Sequence, residues 1–385
     1  MRGIELPERT EDFTADPVEL FFDLAYVLAF SQLVGHLVHH PTWRGVGEAA
    51  LLLWLLWLPW SQFTWSANAV SGNGRTVRVL FLVGTAISVP MAASVSTAFG
   101  PGGPVFAVSL ALIYALAAST MALGVERGSD VYRSIRSFGL LSAAGTVVLI
   151  AGSFLDGGPR VAAWILSGAI VLVAMLLSGD GTWIVRVGHF AERHGLIVII
   201  ALGEVIVAIG LPVVDSLEAG EGVPARTLVA LAASAVFASL VWWGYFDRPG
   251  PALEHRGQQL DEGDRGRYVR DVYTLGHVWI VAGIILSATA LETIALHPAE
   301  PVSVAFRAMF AGGLALAVAG VAFGVWVAFR VVAVERVVFV VALVLLILAL
   351  GSLDGLWVLI GVDVLIALTL VVEHRRIEHP AAAGA

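Results

Sequence analysis

Long apolar runs recur from end to end of the chain, and they constrain its fold more than any other feature. About twenty apolar residues cross the hydrocarbon layer as a helix. Measured against that length, the sequence predicts twelve spans separated by glycine- and proline-rich turns. They run at about 17–39, 46–69, 76–98, 103–125, 136–155, 159–178, 188–213, 224–246, 268–296, 301–328, 333–350 and 354–373. We therefore expect an all-α, polytopic membrane protein whose longest loop, about 247–267, is polar.

The composition agrees with a membrane protein and excludes several kinds of chemistry. Hydrophobic residues make up 58% of the 385 residues and charged residues 14%, whereas a soluble domain carries roughly 25% charged residues. The chain has no cysteine, which excludes disulfides, thiol catalysis and thiolate metal sites. Lysine is also absent, so every basic residue is an arginine.

Signatures of enzymes and of nucleic-acid binding are lacking. Gly188-His189 and Glu192-Arg193-His194 do not form the His-Glu-x-x-His metal motif, and the glycine-rich turn at 100–103 has no phosphate-binding lysine. The arginines lie in loops among acids, which does not favour a nucleic-acid partner. The sequence therefore predicts no catalytic residues, no metal and no cofactor.

The placement of arginine predicts the orientation in the membrane. On the twelve-span count, eighteen arginines fall on the side of the two termini and four on the other side. Cytoplasmic loops carry the excess of basic residues. We therefore expect a multi-pass protein of the bacterial cytoplasmic (inner) membrane, with both termini in the cytoplasm.

The two halves of the chain repeat each other in order. Arg75-Thr-Val-Arg78 matches Arg267-Tyr-Val-Arg270, and Gly152-Ser-Phe-Leu-Asp156 matches Gly351-Ser-Leu-Asp354. The pattern predicts two tandem six-helix repeats, 17–181 and 182–375, with an acidic segment 1–16 before them and a short tail 376–385 after them. Six helices are an even number, so the copies have parallel orientation and a pseudo-two-fold axis along the membrane normal. Alternatively, the duplication built only a scaffold.

Charged and aromatic residues repeat at the cytoplasmic ends of the helices. A carboxylate at a helix N-terminus interacts favourably with the helix dipole and can pair with an arginine at the start of a neighbouring helix. We interpret these charges as structural clamps, with direct ligand contact as the alternative. The clamp residues are Glu19, Arg75, Arg78, Glu192, Arg267 and Arg270. The aromatic residues, expected in the interfacial belt, are Trp60, Phe63, Trp243 and Phe246.

Acids at membrane depth are the candidates for a ligand, ion or proton path. Asp23 is too short to reach the interface and is expected to face the bundle interior, with Tyr26 on the same helix face. Glu204 lies near the middle of the seventh span, where proton binding or cation coordination is plausible chemistry. Asp363 interrupts the last span. For each acid the alternative is a structural hydrogen bond between helices.

Three histidines also lie in the predicted spans, near cytoplasmic ends. His189, His194 and His277 can titrate near neutral pH. We interpret them as satisfied, interface-exposed side chains.

Three motifs resemble the bacterial low temperature requirement protein A (LtrA) family. They are Glu19-Leu-Phe-Phe-Asp23 in the first span, Glu192-Arg-His-Gly-Leu with Ala201-Leu-Gly-Glu204 in the seventh, and Trp242-Trp-Gly-Tyr-Phe246-Asp247 at the end of the eighth. The resemblance covers about 10–375. It implies a polytopic inner-membrane protein linked by name to growth in the cold, and it brings no catalytic residues with it.

The two-by-six layout is also similar to the lysosomal potassium channel family, whose first helix carries Arg-x-x-x-Phe-Ser-Asp. This chain has Phe21-Phe22-Asp23 instead. The leading hypothesis is a secondary transporter of a small solute or ion, with proton coupling through Glu204. A cation channel, and a membrane enzyme or accessory protein of lipid or envelope homeostasis, are the alternatives. The expected partners are the bilayer and that solute or ion, and a homo-oligomer is possible on the sequence alone.

Overall fold

The computed structural model describes residues 15–70, 74–123, 125–126, 128–178, 183, 185–220 and 222–378. Most of the predicted acidic segment 1–16 and of the tail 376–385 lies outside these residues. The described chain is all-α and contains no β-strand. Its helices are α1 (Pro17–His39), α2 (Trp43–Ala69), α3 (Arg75–Ala93), α4 (Gly103–Leu123), α5 (Asp130–Ser153), α6 (Gly157–Leu177), α7 (Val187–Glu218), α8 (Ala225–Phe246), α9 (Pro249–Gln258), α10 (Glu262–Val269), α11 (Gly276–Leu296), α12 (Val304–Phe329), α13 (Val334–Ala349) and α14 (Gly355–Glu378).

A helix lies within a few residues of every predicted span, and within the described residues ten segments are long and apolar enough to cross a membrane. Helices α2 and α13 are not among the ten, and α13 has only 16 residues. The prediction of a polytopic membrane protein is therefore confirmed, whereas the count of twelve spans stays a prediction. Outward-facing side chains support this environment: Val147, Leu177 and Leu348 are each at least 66% exposed, and soluble monomers rarely expose large apolar surfaces.

The segment expected to be a polar loop, about 247–267, is helical, so that prediction was wrong. Helix α9 begins with Pro249 in its first turn, where the missing N–H of proline is harmless. Helix α10 begins after Asp261 with two acids in its first turn, which suits the helix dipole. A six-residue π-helical segment, Arg270–Leu275, then joins α10 to α11.

In each half most helices pack on the next one along the chain, except that α2 and α8 lie out of this order. In the first half, α1 packs on α3, α3 on α4, α4 on α5 and α5 on α6, while α2 packs on α4 and α6. In the second half, α7 packs on α11, α11 on α12, α12 on α13 and α13 on α14, while α8 packs on α14. The two halves meet where α1 packs on α7 and α11. The core therefore centres on α1, α7 and α11, with α11 the most buried candidate span.

Glycines bring α11 and α12 into close contact. A Cβ atom added to Gly283 would lie 2.3 Å from the carbonyl oxygen of Gly313, and one added to Gly313 would lie 2.7 Å from the carbonyl oxygen of Gly283. Small residues at such positions let two helix backbones approach each other closely. Gly312, the adjacent residue on α12, faces open space.

We expect Gly313→Ala to lower the free energy of unfolding by about 1–3 kcal/mol, because the added methyl group forces two packed backbones apart. Thermal unfolding of the purified protein in detergent measures the effect. Gly312→Ala is the matched control on the same helix and should leave stability unchanged or raise it slightly, since alanine is the better helix former. Equal midpoints for the two variants would contradict the close packing.

Candidate functional site

The site begins with the cap of α1, which fixes Glu19 in the first helical turn. The N-cap residue Asp16 accepts a hydrogen bond from the Val18 N–H at 3.0 Å. Glu19 Oε1 accepts one from the Asp16 N–H at 3.1 Å, which completes a capping box. One carboxylate oxygen of Glu19 thus serves the helix start, and the other is directed toward α7.

That second oxygen meets two basic groups of α7. Glu19 Oε2 lies 2.9 Å from His189 Nε2 and 2.8 Å from Arg193 Nη1. His189 and Arg193 are four residues apart and so share one face of α7. All three side chains are fully buried. These contacts therefore form a buried ion-pair network that links the two halves of the chain.

Asp23 lies one helical turn after Glu19 and binds the other end of the same guanidinium. Its Oδ1 accepts hydrogen bonds from Arg193 Nη2 at 2.7 Å and from Trp60 Nε1 at 2.8 Å. The guanidinium carbon of Arg193 lies 5.9 Å from the centroid of the Trp60 ring. We call Glu19, Asp23, Trp60, His189 and Arg193 the α1–α7 charge cluster.

The charge cluster is closed but not fully satisfied. Within the described part of the chain, Asp23 Oδ2 and Arg193 Nε are buried and have no hydrogen-bond partner. Buried polar atoms usually have a partner, so these two atoms are exceptions within the cluster.

A second group of buried titratable side chains adjoins the cluster at the start of α11. His277 Nδ1 donates to the carbonyl of Val272 at 3.0 Å, which leaves Nε2 to accept from the Tyr245 hydroxyl at 2.6 Å. The His194 ring lies 5.2 Å from the His277 ring and 5.0 Å from that of Trp60. The interpretation of His189, His194 and His277 as interface-exposed was wrong, since each is at most 1% exposed.

The π-helical segment before α11 is tied to α2. Trp57 Nε1 donates to the Thr274 carbonyl at 2.7 Å, and the Thr274 hydroxyl lies 3.2 Å from Trp65 Nε1 and 3.4 Å from the Ser61 hydroxyl. A π-helical turn releases backbone carbonyls from their usual partners and often marks a functional site. These bonds form a second connection between the halves.

Glu204 lies farther along α7, outside the charge cluster. It is 1% exposed, has Ser31 of α1 as a hydrogen-bonding neighbour and lies near Glu292 of α11. Its Oε2 has no partner within the described residues. Ser31 follows Asp23 by eight residues on α1, so the two acidic centres are separated by about 12 Å along that helix.

The remaining path candidates lie elsewhere in the bundle. Tyr26 is buried below Asp23 and donates a 3.5 Å hydrogen bond to the Leu56 carbonyl. Asp363 is 7% exposed on α14, and its Oδ1 has no partner among the described residues. Asp23 and Tyr26 therefore lie close together on α1, and Glu204 lies farther along the α1–α7 interface. Asp363 lies on a different helix, α14.

The predicted clamp pairs do not form. Arg75 is exposed, and Arg78 reaches Asp16 at 3.4 Å rather than Glu19. Glu192 accepts from the Ala15 N–H at 2.6 Å. Arg267 pairs with Asp264 at 2.8 Å and Arg270 with Asp271 at 2.7 Å. The physical reason is that Glu19 is buried against α7, whereas the predicted arginines lie at exposed or half-buried helix starts.

The interfacial position predicted for the aromatic residues was wrong for the first half. Trp60 and Phe63 are fully buried, and the Phe63 ring stacks on Phe22 with centroids 4.4 Å apart. Trp243 is 55% exposed and Phe246 half-buried, so their place in the belt stays a prediction.

Arg193 and His189 are the site residues that sequence reasoning missed. Both had been assigned to a cytoplasmic helix end, one as a loop arginine and the other as an exposed histidine. Their four-residue spacing at the start of a long apolar helix was the available signal. Among the residues that the structure describes, no group of three or more histidines or acids could hold a metal ion.

Comparison with known proteins gives a family and a relative. The family model of the bacterial low temperature requirement A protein (LtrA) matches residues 14–372, which confirms the resemblance drawn from the motifs. A protein of Rhizobium meliloti (strain 1021), described only as uncharacterized, is 30% identical over 350 residues that cover 84% of this chain and 80% of the relative. No solved structure matches the chain.

We expect Arg193→Gln to be strongly destabilising, by about 3–5 kcal/mol, because it leaves two buried carboxylates without their cation. Thermal unfolding in detergent measures the loss. Arg267→Gln, which removes an arginine from an exposed pair, is the control and should change stability little.

A second substitution identifies the cause. Adding Asp23→Asn to Arg193→Gln removes one of the stranded charges and should restore part of the lost stability. An Arg193→Gln variant as stable as Arg267→Gln would show that the charge cluster does not hold the halves together.

Proposed function

The chain belongs to the bacterial low temperature requirement A (LtrA) family, and we propose that it is a proton-coupled secondary transporter of a small solute or ion. The solute would pass between two six-helix halves of parallel orientation. The family's name links its members to growth at low temperature, and the proposal extends that link to this chain.

The charge balance of the α1–α7 charge cluster carries the proposal. Glu19 and Asp23 supply two negative charges, Arg193 supplies one positive charge, and His189 is neutral unless it holds a second proton. An uncompensated charge buried in a membrane protein is costly. One added proton, on His189 or on Asp23, makes the cluster neutral. The cluster therefore has a chemical reason to bind a single proton.

Glu204 supports the proposal as a second proton-binding group at another depth. Between the two acidic levels, α1 and α7 contribute apolar side chains to the core, among them the buried Phe30, Ile197 and Ala201. A dry layer between two polar centres is what alternating access requires, since a continuous wet path would leak protons. In this proposal Glu204 exchanges its proton with the solution on one side of the membrane. Asp23 and Tyr26 contact the solute.

Part of the packing pattern supports the tandem repeat. The neighbour sequence α1–α3–α4–α5–α6 in one half corresponds to α7–α11–α12–α13–α14 in the other, whereas α2 packs mainly on α4 and α8 on α14 and α7. In parallel repeats the path runs between the copies, near their shared axis. Here α1 and α7, the first helices of the two copies, pack on each other and carry the acids, whereas Asp363 of α14 lies off that axis.

Transport can be tested without knowing the solute. The purified full-length protein, in proteoliposomes on a solid-supported membrane, is exposed to amino acids, carboxylic acids, sugars and organic cations under imposed pH gradients. We expect at least one class to give a transient current that depends on the pH gradient. Glu204→Gln and Asp23→Asn should each lower that current by about tenfold or more, since each removes a proton site from the path.

The matched control is Asp264→Asn, which removes an exposed carboxylate of α10 and should keep the wild-type current. A pH-dependent current untouched by Glu204→Gln would refute its coupling role. A sustained current far above carrier turnover would favour the cation channel instead, and the lack of any current from folded protein would refute electrogenic transport of these solutes.

The proposed orientation places both termini in the cytoplasm, and the cysteine-free chain makes it directly testable. Glu126→Cys lies between α4 and α5, on the predicted cytoplasmic side, and Asp156→Cys lies between α5 and α6 on the other. In spheroplasts, a membrane-impermeant maleimide should label Asp156→Cys alone and should label both after permeabilisation. The unsubstituted chain gives the background, and the reverse labelling would contradict the orientation.

A further inference from the structure

An apolar cavity lies in the second half, between α8 and α14. Its volume is about 70 Å³, so it is a narrow cleft with an open mouth. Its walls are hydrocarbon, and they include Val241, Ile280, Leu314, Phe339, Ile366 and Leu370. We call it the α8–α14 slot. Because its lining includes buried residues of α11 and α12, the slot reaches from the surface of the bundle to its core.

The slot ends at an ion pair. Arg336 Nε lies 2.9 Å from Glu373 Oε1, and Arg336 Nη2 donates to the carbonyl of Gly244 at 3.1 Å. Beyond this pair a second recess continues the slot and shares Gly244, Leu370 and Glu373 with it. The apolar volume therefore opens directly onto a polar surface at the end of α14.

Basic side chains exceed acids around this polar recess. Its charged lining consists of Asp247, Arg248, Glu373, His374 and Arg375. Both acids already have arginine partners: Asp247 pairs with Arg248 at 3.3 Å, and Glu373 pairs with Arg336. Arg248 Nη2 also lies 2.7 Å from His374 Nδ1.

Arg375 differs from these residues because it is exposed and makes no ion pair within the described part of the chain. A free guanidinium beside Arg248 and His374 is suited to a phosphate group, which arginine binds in a bidentate manner. On the arginine distribution this end of the bundle is cytoplasmic, the side where anionic lipid attracts basic segments.

We propose that the α8–α14 slot binds an anionic glycerophospholipid of the cytoplasmic leaflet. One acyl chain lies along the slot, and the phosphate lies against Arg375, Arg248 and His374. The apolar slot is continuous with the basic recess, so the site suits a molecule that has both an apolar chain and a phosphate. This favours a lipid over free phosphate. Trp243, which lines the recess and is 55% exposed, supplies the amphipathic ring typical of headgroup depth. The proposal is independent of transport.

Native mass spectrometry and thermal unfolding of the full-length protein in detergent test the proposal. The probes are phosphatidylglycerol and phosphatidylcholine with identical chains, and inorganic phosphate. Phosphatidylglycerol should bind and raise the unfolding midpoint more than phosphatidylcholine. Arg248→Gln with Arg375→Gln should weaken phosphatidylglycerol binding by about tenfold or more, because each basic residue contributes to attraction of an anionic headgroup.

The control for charge is Arg133→Gln with Arg267→Gln, which removes two arginines from exposed surface pairs and should leave lipid binding unchanged. Val241→Phe narrows the slot and should weaken binding of both lipids. Its control is Met175→Phe in a separate apolar cavity of about 50 Å³ next to α2 and α6, which should have no effect.

Three results would overturn the proposal. They are equal binding of the two lipids, protection by inorganic phosphate as strong as that by phosphatidylglycerol, and wild-type lipid binding by the double arginine variant. If the double variant does not fold, Arg375→Gln alone decides, because that side chain is exposed and its loss leaves the bundle intact. Unchanged phosphatidylglycerol binding by Arg375→Gln would then refute the headgroup contact.

Discussion

The guanidinium of Arg193 is the contact on which the centre of the bundle depends. It lies fully buried between two carboxylates of another helix, with 2.8 Å to Glu19 and 2.7 Å to Asp23. A cation in such surroundings is tolerated only when it is paired and hydrogen-bonded. The pairing fixes the rotation of α7 against α1, and Trp60 adds α2 through its bond to Asp23. Three helices from both halves are thereby held in one register.

The contacts that differ between the two halves lie around the same charge cluster. The bonds of Glu19 and Asp23 run across the halves, and nothing equivalent links Glu192 to its own neighbours among the described contacts. The π-helical segment before α11 places Thr274 against Trp57 of α2, while the corresponding start of α3 is a regular helix. The two halves differ at this site, because the first contributes the acids Glu19 and Asp23 and the second contributes the bases His189 and Arg193.

The fold was largely predictable from the sequence because apolar length and helix-breaking turns are local signals. Helix α9 was also within reach, since Pro249 marks its start and Leu253 with Gly257 its buried side. The partner of Glu19 was not predictable in this way. The sequence repeat predicted that Glu19 pairs with arginines of its own half. No local sequence pattern around Arg193 indicates that this side chain faces α1. Trp60 was misplaced for the same reason: an aromatic residue near a helix end is typical of the interface, and only the tertiary contact with Asp23 explains its burial.

The charge cluster connects stability with the proposed activity. A ligand shifts a conformational equilibrium only through its different affinity for the two states. In the closed state Arg193 is shared by two carboxylates, so separation of α1 from α7 would expose buried charges of both signs. Without an added proton the buried cluster carries one uncompensated negative charge, and a proton on Asp23 removes it. A proton at this position would therefore favour the closed arrangement, and the separation of α1 from α7 would depend on the loss of that proton.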